Sequence, residues 1–158
     1  MTSQMLREVL NKPYVIEFFI KYARFEYALK MAGFYKKVDS DSFFIKKVDL
    51  DRFLFEIDES KLSEALKPFY DYLMEHPVKK LKNDLRFHDG TFDNGMTNIR
   101  KFAENIVRIR NNLFHGNKFI EFLPGENRDE YLIKNAILVI EWMVDLKPEV
   151  RGYYGYSN

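Results

Sequence analysis

The stretch AILVIEWMV, residues 136–144, places a single charge, Glu141, among nine positions. A helix that is apolar on every side cannot lie on a wet surface; it runs through the centre of a fold or presses against another subunit. Asn127 followed by Glu130 has the spacing of a capping box and opens this helix. Two further segments carry the one-sided stripe of a helix packed on a core. After Pro13, which suits a first helical turn, Val15, Phe18, Phe19, Tyr22, Phe25, Leu29 and Ala32 recur at three- and four-residue steps as far as Gly33. From Met96 to Gly116, Ile99, Phe102, Ala103, Ile106 and Leu113 do the same.

The rest of the chain reads less regularly. Residues 2–10 have helical spacing, and Ser60 opens a helix through Leu66 that Pro68 should break before FYDYLMEH continues. Residues 34–57 mix charged, Phe-rich and β-branched stretches without a sustained period, which predicts an irregular excursion with one short helical turn at 49–55. Residues 76–95 read as a loop and 151–158, RGYYGYSN, as a frayed tail. The expectation is an all-α chain: one domain over 1–158, a compact bundle of four to five main helices.

Charge and composition limit the function classes. Twenty-five Lys and Arg face 24 Asp and Glu, a net charge of +1, so any nucleic-acid contact must be a local patch. The absence of cysteine removes disulfides, thiolate metal sites and a thiol nucleophile, and fits a reducing cytoplasm. No run approaches the roughly 18–20 apolar residues of a membrane span. His76 and His88 lie near Asp84, Asp89 and Asp93 without a metal-binding spacing, so no metal and no cofactor is expected. Neither a Gly-rich phosphate loop nor a nucleophile elbow is present.

The segment IRNNLFHGNK, residues 109–118, concentrates the chemistry. Arg110 falls on or beside the apolar stripe, where an always-charged guanidinium needs an acceptor, and Glu26, on the stripe of another helix, is the candidate. Two readings stay open: a tie between helices, or one part of a site. Asn111 and His115 are four apart and share a face; Arg110 and His115 are about 140° apart, a gap a long side chain partly bridges. All three can therefore serve one cleft, with His115 able to titrate near neutrality.

RNNLFHG resembles the R-N-x-x-x-H signature of the HEPN superfamily, helical domains that in bacteria and archaea commonly act as ribonucleases in toxin–antitoxin and phage-defence systems. FIKYARFEYALKMAGF (19–34), VDLDRF (48–53) and the motif helix together resemble a small stand-alone bacterial HEPN family, a likeness that covers most of the chain. The resemblance implies a metal-independent endoribonuclease, a homodimer formed through the motif helix, with Arg110, His115 and Asn111 catalytic; that Glu26 would support Arg110 is read from the two helical stripes, not from the resemblance. Arg108, Lys118, Lys79, Lys80 and Lys82 are the cations expected to contact RNA. Some members carry, two positions after the His, a Tyr that an antitoxin modifies; Asn117 stands here, so that mode of control is not expected and any antitoxin partner is unidentified. The competing expectations are a HEPN-like module that binds RNA, a nucleotide or a protein without cutting, and a structural subunit of a larger complex.

Overall fold

The computed structural model describes residues 12–40, 43–84, 86–114 and 127–155. These residues are mostly helical, with six α-helices and two small antiparallel sheets among them. Helix α1 (Pro13–Met31) starts at its proline and buries Val15, Phe18, Tyr22, Phe25 and Leu29; Phe19 and Ala32, expected on the same stripe, are half-buried at its edge. Gly33, at φ +89°, lets the chain leave the helix in the left-handed region.

Residues 34–57 are not an irregular excursion. Strands β1 (Tyr35–Ser40) and β2 (Phe43–Val48) pair antiparallel, Tyr35 opposite Val48 and Ser40 opposite Phe43. The Asp49 amide extends the ladder to the Phe34 carbonyl at 2.9 Å. Lysine pairs in the middle of both strands break the apolar–polar alternation by which a strand is usually read. The expected helical turn follows as α2 (Leu50–Phe53), where the Asp49 carboxylate accepts from the Arg52 N–H at 3.0 Å.

A helix from Ser60 to Leu66 does not form. Asp58 caps a single 3-10 turn at Glu59–Lys61, and α3 (Lys67–Glu75) begins with Pro68 in its first turn, a position where proline forfeits no hydrogen bond. The segment 76–95 is mostly loop, with a two-residue pairing of β3 (Lys80–Leu81) and β4 (Phe87–His88). Helix α4 (Asn98–Phe114) follows, then α5 (Asn127–Asp145) and α6 (Pro148–Tyr154).

Helix α5 takes the central course its composition demands: Ile133, Ala136, Val139, Ile140, Met143 and Val144 are buried against α1 and α4, with Leu138 exposed. Lys21 on α1 pairs with Glu141, the lone charge of the apolar run. The expected frayed tail is instead the end of α6. Tyr154 is buried, and Arg24 donates to the carbonyls of Tyr153 and Tyr154 at 3.2 and 3.1 Å, satisfying the helix C-terminus. Residues 156–158 lie outside the described ones. No described helix is long and apolar enough to cross a membrane.

Candidate functional site

Helix α4 has three faces, each with its own work. Ile99, Phe102, Ala103, Ile106 and Leu113 form the buried stripe expected from their spacing. Asn105, Arg108 and Asn112, at steps of three and four, are buried polar residues facing the 77–91 segment. Arg100, Glu104, Val107, Arg110 and Asn111 are half-buried and line a cavity.

That cavity holds about 400 Å³, within the usual range for a small-ligand site. Its floor is apolar, with Phe25, Leu29, Ala103, Ile106 and Met143; its rim is charged, with Glu26 from α1, Lys47 from β2, and Arg100, Glu104 and Arg110 from α4. Arg110 Nη1 donates to Asn111 Oδ1 at 2.9 Å, and the guanidinium stands 5.5 Å from the centre of the Tyr22 ring. Glu26 Oε2 lies 3.8 Å from Arg110 Nη2, so the two residues singled out on separate helices do meet. Both side chains remain about one-third exposed, at 32 and 30%. A pair so wet contributes at most about 1 kcal/mol to folding. Arg110 is therefore held at a cavity wall by contacts that stability alone does not require.

The electrostatics of the rim follow from these pairs. Arg100 bonds Asp51 at 2.9 Å and Glu104 at 2.8 Å. Burial, and then the nearby Glu26 carboxylate, hold the Tyr22 phenol well above its usual pKa, so it stays protonated at the cavity edge. No acid partner accompanies Lys47 among the described residues.

Arg108, expected to contact RNA, is instead structural. It is 4% exposed, donates from Nη1 to the Val78 carbonyl at 3.3 Å and from Nη2 to the Thr91 carbonyl, and stacks 4.2 Å from the Phe92 ring centre. At about 100° per residue it lies some 200° from Arg110 but only about 40° from Glu104, whose carboxylate stands 3.9 Å from its Nε, so it flanks the cavity face of the helix without lining the cavity. Asn105 accepts from the Val78 N–H at 2.7 Å and Asn112 donates to the Lys79 carbonyl at 2.9 Å, so the three side chains together lace the segment to α4. Gly90 completes the lacing: a Cβ there would overlap both Val78 O and Arg108 Nη1.

Lys79, Lys80 and Lys82 are exposed, as a phosphate contact requires, but none lines the cavity at Arg110. Lys80 and Lys82 border a separate shallow hollow with Asn83 and Asp84. His115 and Lys118 lie outside the described residues, His115 one position after Phe114, the last described residue of α4. Among the described residues no group of three His, Asp or Glu is placed to hold a metal ion. The Arg86 amide, and then His88 at 2.8 Å, hold the Asp84 carboxyl below its usual pKa.

Sequence reasoning missed Lys47, Arg100, Glu104 and Tyr22 as cavity residues. Arg100 and Glu104 were within reach, since steps of four and seven put them on the helical face of Asn111. Lys47 was not, because its place depends on the β1–β2 register. Comparison of the chain with protein-family models, with curated proteins and with solved structures finds no match.

Proposed function

We propose that the chain is a metal-independent endoribonuclease whose working groups are Arg110, Asn111 and His115. The observation that carries the reading is the Arg110 guanidinium, oriented by Asn111 and Glu26 at the wall of a ligand-sized cavity while most of its own helix is buried. A cation and an amide side by side suit a phosphodiester, whose non-bridging oxygens accept from both. The ribose 2′-oxygen attacks the adjacent phosphorus, its proton passing to the imidazole of His115. The bond to the 5′-oxygen breaks, and that oxygen takes up a proton to leave as a hydroxyl, giving a 2′,3′-cyclic phosphate. Arg110 stabilises the charge that grows on the phosphoryl oxygens. Because the nucleophile belongs to the substrate, no metal-bound water is called for.

The proposal extends to a homodimer. Most of the circumference of α4 is packed against α2, α3, α5 and β3, so a second copy meeting this helix does so on the Arg100, Glu104, Val107 and Asn111 face and closes the cavity. A role as a toxin or phage-defence effector, with an antitoxin partner, belongs to the same proposal and rests on the motif resemblance.

The test is cleavage of labelled RNA in EDTA by the wild type, Arg110→Ala, His115→Ala and Glu26→Gln. Cleavage is expected to survive chelation and to fall at least 100-fold in the two alanine variants, in line with the loss of one transition-state donor or acid–base group. Glu26→Gln should lower kcat more than it raises KM, because Arg110 loses its orientation rather than its charge. Equal cleavage by all four proteins, or none by the wild type, refutes the proposal. Growth arrest on expression, relieved by the same substitutions, tests the toxin role.

A further inference from the structure

The β1–β2 register sets Lys36 directly opposite Lys47 and Lys37 directly opposite Lys46. Like charges across a strand pair disfavour the pairing, so two such pairs between six-residue strands invite an explanation. At Lys36 and Lys46 the compensation is direct. The Lys36 ammonium lies 3.6 Å from both Asp49 and Asp51, and that of Lys46 sits 4.5 Å from the centre of the Tyr35 ring. Lys47 has no such compensation within the described residues, and it is Lys47 that lines the Arg110 cavity. The other two cations on the rim are matched, Arg100 by Asp51 and Glu104 and Arg110 by Glu26. The uncompensated charge at the cavity mouth is therefore positive and comes from the hairpin, not from the helix that bears the motif.

We infer that Lys47 binds the phosphate next to the one held by Arg110, making the hairpin one bank of a channel for single-stranded RNA. The inference rests on the ribonuclease reading, from which the position of the scissile phosphate is taken. A single strand is the fitting class, because a cavity of about 400 Å³ admits a splayed nucleotide and not a stacked duplex. An ammonium on a flexible stem serves a backbone phosphate as a point charge, without base preference. Lys47 thus contributes affinity and strand path, while sequence preference arises elsewhere.

The probe is a single-stranded 2′-O-methyl RNA oligonucleotide, which lacks the attacking hydroxyl and cannot be cut. Its affinity is measured from 50 to 200 mM salt for the wild type, Lys47→Gln and Lys47→Arg. Each phosphate contact on a single strand contributes about 0.7 to the slope of log K against log salt, so Lys47→Gln should flatten the slope by about 0.7. Its disadvantage relative to the wild type should then shrink by about 2.6-fold across that fourfold change in salt. Lys47→Arg should restore the slope. The thermal midpoint of Lys47→Gln should be unchanged or higher, because Lys36 loses a like-charged neighbour, so weaker binding would not reflect unfolding. If the wild type binds and Lys47→Gln keeps the full slope, the Lys47 assignment is wrong and the ribonuclease reading stands. A wild type that neither binds this probe nor cuts RNA overturns both.

Discussion

Replacing Arg108 by methionine separates the two readings of that residue, RNA contact and internal clamp. Methionine keeps much of the apolar stem and removes the donors. The buried Val78 carbonyl loses its Arg108 partner, while the carbonyl of the exposed Thr91 regains water. One buried acceptor left unpaired costs about 1–3 kcal/mol. Loss of the guanidinium over Phe92 adds about 1 kcal/mol. A destabilisation of about 2–4 kcal/mol follows, which in a chain of this size lowers the midpoint by about 4–16 °C. Circular dichroism melts read that shift. The salt slope of RNA binding, taken well below the melting range, should be the same for variant and wild type, because the guanidinium is buried among the Val78 and Thr91 carbonyls, Phe92 and Glu104. A variant that melts with the wild type and loses about 0.7 of slope would show that Arg108 reaches a phosphate after all.

Gly90→Ala should destabilise by about 1–3 kcal/mol, because the new methyl meets a backbone carbonyl that cannot swing aside. In an Arg108→Met background the penalty should shrink but persist, and a purely additive double mutant in urea melts would contradict the shared contact. Tyr22 makes stability sensitive to alkali: its folded pKa stands above the unfolded 10.0, so its contribution is complete below pH 10 and declines as pH rises beyond it. Urea unfolding at pH 9, 10 and 11 should fall more steeply in the wild type than in Tyr22→Phe; parallel curves would refute the assignment.

The long amphipathic helices were legible because period and burial coincide. All five positions expected to face inward from α4, and five of seven from α1, are buried, and the apolar run at 136–144 is central. The hairpin was hidden by its lysines, which sit where a half-buried strand would carry alternate apolar residues. Pro68 reads as a break in the sequence although it stands in the first turn of α3, since a proline ends one helix and opens another by the same missing N–H. The Arg110–Glu26 contact was foreseeable from two charges stranded on apolar stripes. Arg108 was misjudged for the complementary reason: its acceptors are backbone carbonyls of a loop, and carbonyls leave no trace in a pattern of side chains.

The motif segment itself divides along the helix. Arg110 and Asn111 turn to the cavity, whereas Asn112, one residue on and about 100° round, turns to the 77–91 segment and holds the Lys79 carbonyl. Two adjacent asparagines thus serve different ends, one lining the cavity beside Arg110, the other a buried lace. A helix that carries a site and an internal clamp on separate faces gains rigidity where the site needs it: α4 cannot roll without breaking the Asn105, Arg108 and Asn112 bonds, so Arg110 is held in register with Glu26 from outside the cavity. The buried polar residues on one face of α4 are then part of the reason that those lining the cavity on another face keep their positions.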